Sequence, residues 1–225
     1  MFSFLKGNSG VADFDHIVSK STAMVGDARH SFDLASLALL TGADAATVAD
    51  DVRQTDTRIN LAEQELRSEL VVHVSVQGSA DIGSVLGFTL LLKKIERIGD
   101  QAKNILELAE SGFSLADGAA TNGLLDERTA ISELFPLAST LLGDPDASDA
   151  AVEVFAADAE AIENELRERI AGYMISDAPG RDVVPQAFYA RYLLRIVANL
   201  VGVVRRSTEP LAHIADDDGM YYLDD

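Results

Sequence analysis

ELRSEL at Glu65 to Leu70 returns as ELRERI at Glu165 to Ile170, one hundred residues later. The same offset pairs Ala62 with Ile162 and Thr55 with Phe155. All of these lie on one stripe: Val48, Val52, Thr55, Ile59, Ala62, Leu66 and Leu70 recur at spacings of three and four, with Asp50, Asp51, Arg53, Asp56, Arg58, Glu63 and Arg67 between them. That spacing puts the apolar residues on one face of an α-helix and the charges on the other. Upstream, Phe14, Ile17, Met24, Ala28, Phe32, Ala35 and Leu39 form an earlier helix, with Gly42 as its stop and Asp44 as the next N-cap. Downstream of Gly78-Ser79 a third helix starts near Asp81, with a stripe through Phe88, Leu91, Ile95, Ile98, Ala102, Ile105 and Ala109. VHVSV at 72–76 is the only stretch close to two-residue alternation, and it reads as the end of the second helix.

After a segment rich in Gly, Ala, Ser and Asp the pattern begins again, with helices at 124–142, 147–176 and 182–207. Past the turn the offset becomes 98, which lays KKIERIGDQAKNI on ARYLLRIVANLVG and pairs Arg97 with Arg195. The expectation is an all-α protein built as a tandem repeat of two three-helix bundles. The bundles are placed at residues 1–112 and 124–225, the latter ending in an acidic tail, with a linker at 113–123. Pro185 is expected in the first turn of the last helix, where its missing N–H is harmless. Pro136 should kink or split the fourth helix, and Pro210 should end or bend the sixth. The tail DDDGMYYLDD reads as a solvated end.

Composition narrows the function. The chain has 225 residues, 48% of them hydrophobic, and a formal charge of -19 with a pI near 4.4. Such a field repels nucleic acid and anionic lipid. There is no Cys, which removes disulfides, thiolate metal sites and a Cys nucleophile, and fits a reducing compartment such as the cytoplasm. The N-terminus MFSFLKGNSG carries no recognisable export signal. The apolar run Ile82 to Leu92 is too short for a bilayer and reads as a buried helix, and Val183 to Val204 carries Arg191 and Arg195 at its middle.

Catalysis finds little support. The Gly-rich phosphate loop, the dinucleotide fingerprint and the G-x-S-x-G elbow are all absent from the sequence. His16 and His30 follow Asp13 and Asp27 by three, and His73 and His213 follow Glu69 and Glu209 by four. This is not the Glu-x-x-His pair of a di-iron bundle, and the two Asp-x-x-His units stand about 21 Å apart along one helix. The four histidines read as surface or capping residues.

One segment asks a chemical question. KKIERIGDQAKNILELA, Lys93 to Ala109, sets Glu96 and Asp100 four apart on one helix face, where like charges repel by about 0.2–0.5 kcal/mol. Two answers are open: local compensation by Lys93, Arg97 and Lys103, or a carboxylate pair that awaits a cation or a partner's basic residue. Gly99, inside the helix, points to close approach of a neighbour.

KKIERIGDQAKNI resembles the E-R-I-G-D-x-x-x-N-I signature of the phosphate-uptake regulator (PhoU) family, and RINLAEQELRSELVVHVS resembles the helix before it in that family. The resemblance extends over nearly the whole chain. It implies a cytoplasmic, non-enzymatic regulator of inorganic phosphate uptake that works beside a phosphate transporter subunit and, in many bacteria, a sensor kinase. It also implies a candidate site for a divalent metal or iron at Glu96 and Asp100, since some members bind metal clusters through this pair. The candidate partner-binding residues are Glu96, Arg97, Asp100, Asn104 and Arg195, and a homodimer is a further expectation. In the second half Leu194, Ala198 and Gly202 stand where the first has Glu96, Asp100 and Asn104, so a second carboxylate pair is missing. The competing reading is a metal-binding helical bundle with a storage or redox role.

Overall fold

The computed structural model describes residues 11–78, 81–116 and 121–208. They form six helices: α1 (Val11–Thr41), α2 (Ala46–Gln77), α3 (Ile82–Glu110), α4 (Thr121–Gly143), α5 (Asp149–Met174) and α6 (Gly180–Thr208). Among the described residues there is no strand. The chain is all-α. Asp13's side chain, Ser79, Glu209, Pro210, His213 and the acidic tail, all invoked above, lie outside what is described.

The stripes explain the packing. Phe14, Ile17, Met24, Ala28, Phe32 and Leu39 of α1 meet Val52, Ile59, Leu66 and Leu70 of α2 and the stripe of α3 in one continuous core. α1, α2 and α3 pack on one another, as do α4, α5 and α6, and α3 lies as broadly against α6 as against α1. α1 also packs on α4. The apolar window of α6 (hydropathy 1.4) is thereby accounted for, because 56% of it is covered by other helices.

Turns follow their residue chemistry. Gly42 ends α1 with a positive φ of 68°, and a Cβ there would meet Ser114 Oγ at 3.2 Å. Asp44 Oδ1 accepts from Ala46 N–H at 3.0 Å and starts α2. Ser148 caps α5 by accepting from Ala151 N–H.

Four expectations change. α4 runs unbroken past Pro136, which sits on its exposed side. α6 begins at Gly180, with Asp182 N–H bonded to Pro179 O, so Pro185 lies in the second turn and not the first. The segment Ile82 to Leu92 is not wholly buried: Val85, Phe88, Leu91 and Leu92 face the core while Ile82, Leu86 and Leu90 face outward. The repeat is imperfect too: Leu66, Leu70 and Leu166 are fully buried, but Ile170 is half-buried. α1 has 31 residues against 23 in α4, and the extra start of α1 is what covers the end of α2, through Phe14 against His73 and His16 beside Glu69. The shorter α4 leaves the end of α5 barer.

Candidate functional site

α3 carries the candidate residues along one edge of its apolar stripe, with Ile95, Ile98 and Ala102 anchored in the core between them. Glu96 keeps only 12% of its side chain exposed, and Lys93 Nζ stands 2.7 Å from its Oε2. That oxygen is buried and makes no aligned hydrogen bond, so the contact is one of charge. Asp100 is more open, at 40%.

Lys103 joins two helices. Its Nζ is 3.1 Å from Asp56 Oδ2 on α2 and 3.5 Å from Asp100 Oδ1. Burial alone would lower the pKa of this ammonium, but the hydrogen bond and charge of Asp56, with Asp100 adding, outweigh it and hold the value above the ordinary lysine range. The repulsion between Glu96 and Asp100 is therefore met by Lys93 on one and Lys103 on the other. Arg97, half-buried on the same helix, forms no ion pair with Asp100 among the described contacts, contrary to the i,i+3 expectation. Asn104 is half-buried one turn beyond Asp100.

Gly99 has the close neighbour its place suggested: a Cβ there would come within 3.2 Å of Ile59 Cδ1 and 3.9 Å of Asp56 Oδ1. The glycine lets α2 approach, and that approach carries Asp56 to Lys103. Across the other seam, the Lys94 side chain lies over Gly202 of α6, 3.1 Å from where a Cβ would stand. Burial pushes the Tyr192 hydroxyl up, and the charge of Glu107 adds to it. Arg195 is half-buried one turn beyond Tyr192 on α6. Leu194 is buried, and Ala198 and Gly202 are half-buried.

A resident metal fits this arrangement poorly. Among the described residues no three His, Asp or Glu side chains converge as a metal group, and the ammonium of Lys103 bridges the nearest carboxylates, Asp56 and Asp100. Hard cations want six or more oxygens with no competing positive charge.

Other residues emerge only in three dimensions. Glu63 and Glu163, one hundred positions apart, are both buried, and each is joined to an arginine four residues on, Arg67 and Arg167. The spacing was visible in the repeat, but the burial was not. Burial holds Glu163 above the usual carboxylate range, with Arg167 opposing. His73 is buried and not a surface residue: its ring meets that of Phe14 at a tilt of 58° with centroids 4.8 Å apart, and it bonds Asp81 at 3.0 Å across the α2–α3 turn. His30 pairs with Asp51, not Asp27, which binds Arg58 instead.

The family model described as the PhoU domain matches residues 22–109, which take in most of α1, all of α2 and nearly all of α3. These three helices are similar to a PhoU domain. The PhoU match thus contains Asp56, Gly99, Lys103 and the carboxylate pair, while the second half lies outside it. The whole fold is similar to the crystal structure of PhoU from Pseudomonas aeruginosa, with a TM-score of 0.70 and 21% identity, over 88% of this chain and 97% of that one. At that identity the likeness establishes architecture. No curated protein matches the chain.

Proposed function

We propose that this protein is a non-catalytic regulator of inorganic phosphate uptake, acting in the cytoplasm as an adaptor to a phosphate transporter subunit or a sensor kinase. The observation that carries the reading is the PhoU domain at residues 22–109, whose family is associated with the regulation of phosphate transport. The acidic chain, at -19, favours a basic surface on the partner. The carboxylates of α3 are weaker docking groups than their sequence implied, because Lys93 and Lys103 already hold them. Arg97, Asp100, Asn104 and Arg195 remain the proposed contact residues, with Glu96 positioning Lys93 from below.

The test is deletion of the gene, with phosphate uptake followed at low and high external phosphate, together with co-purification of the tagged chain under both conditions. A changed uptake set-point and recovery of a transporter or kinase subunit are expected. Unchanged uptake in the deletion strain would overturn the reading.

A further inference from the structure

The surface where α1 starts and α2 ends is unlike the rest of the molecule. From Leu70 to Leu92 the sequence holds one residue among Asp, Glu, Lys and Arg, namely Asp81, and that one is bonded to His73. The chain as a whole is 24% charged. Within this stretch Val72 and Val76, one turn apart on α2, are 60% and 74% exposed. They do not stand on a flat face. With His16, Ile17 and His73 they line a groove of about 490 Å³ between α1 and α2, and Glu69 forms part of its rim. Ile17 and His73 are buried beneath it.

The rim is acidic. Glu69 lines the groove and Glu65 lies one turn before it on α2; Lys20 stands 3.5 and 3.6 Å from them and His16 Nε2 is 3.6 Å from Glu69, so two carboxylates face one ammonium and one imidazole. An apolar floor with an i, i+4 pair of valines and an acidic edge is complementary to a helix with apolar anchors on one side and Lys or Arg beside them. The field of a -19 chain steers such a segment inward. The apolar residues at the end of α5 and start of α6, Met174, Ile175 and Val184, lack this form, since Asp177, Arg181 and Asp182 interrupt them.

We propose that the α1–α2 groove binds a basic amphipathic helical segment of a partner protein, with Val72 and Val76 as the apolar contact and Glu65 and Glu69 as the charged one. Only the identity of the partner rests on the adaptor reading.

The probe is a synthetic Leu–Lys peptide with leucines at i, i+3, i+4 and i+7, set against an isomer of the same composition with the pattern scrambled. Binding to the full chain is read by fluorescence anisotropy. The patterned peptide is expected to bind about tenfold more tightly than its isomer, a difference that Val72→Glu with Val76→Glu removes. Val76→Asn alone, at a highly exposed site, should weaken binding by roughly threefold with an unchanged melting temperature. Glu65→Gln with Glu69→Gln should flatten the salt dependence. Equal binding of the two peptides would reduce the effect to bulk charge and overturn the proposal. So would a homodimer, seen by sedimentation, that the Val72 and Val76 substitutions dissolve, because a second copy would then own the groove. Unchanged uptake in the deletion strain with peptide binding intact would sink the phosphate reading and spare this one.

Discussion

Two glycines on related seams differ in what they permit. At Gly99 a larger side chain meets Ile59, which is 1% exposed and has nowhere to go, so Gly99→Leu is expected to cost about 1–3 kcal/mol in thermal or urea denaturation. At Gly202 the obstacle is the flexible stem of Lys94. Gly202→Ala should therefore hold or raise stability, by up to about 1 kcal/mol, as the helix gains a better former. Lys103 makes a third residue-level case. Its folded pKa is raised, so the stability it contributes is present in full below the unfolded value and is lost as pH rises through the folded one, above the ordinary lysine range. Lys103→Met should lower stability by about 1–2 kcal/mol at neutral pH by leaving Asp56 and Asp100 without their cation. Urea midpoints measured from neutral to strongly alkaline pH should also show that the variant lacks the parent's alkaline loss from this group.

At the scale of elements, α3 is read well by its period and poorly by its charges. The apolar stripe placed Ile95, Ile98, Ala102 and Ile105 in the core correctly, since a 3.6-residue repeat leaves few other arrangements. The partner of Lys103 was out of reach, because Asp56 lies 47 residues away and local rules stop at four. His73 was misread for a similar reason: Glu69 sits at the helical spacing, yet its carboxylate turns to His16 and Lys20, and His73 finds Asp81 around the corner. Pro136 does not split α4: buried Leu134, Phe135 and Ala138 pack on either side of it and the helix continues through. Glu96 stands at the edge of the apolar stripe with only 12% of its side chain exposed, and this burial sets the result of reversing its charge. Glu96→Lys should destabilise the bundle by about 1–3 kcal/mol, by burying a cation beside Lys93, whereas Asp100→Lys should fall nearer 1 kcal/mol. Equal melting temperatures for the two variants would show that the difference in exposure has no energetic weight.

For the whole molecule, the repeat was legible and the way its halves join was not. Offsets of 100 and 98 display two similar sets of helices, but nothing in a repeat says that α3 will lie against α6 as broadly as against α1. That shared helix predicts one cooperative unfolding transition and not two. Ile98→Ala, at a fully buried site on α3, should cost about 2–4 kcal/mol and reduce hydrogen-exchange protection in α6 as well as in α2. Protection lost in α2 alone would mean that the halves unfold separately.

The order in which a ribosome delivers these helices gives the seam a further meaning. α3 is complete at Glu110, but the helix that covers its far side does not begin until Gly180 and ends at Thr208. At bacterial or eukaryotic elongation speeds, about 5–20 residues per second, the nascent chain carries that apolar strip bare for roughly 5–20 seconds. Newly made protein is therefore most vulnerable to chaperone capture or aggregation in the window between its third helix and its last.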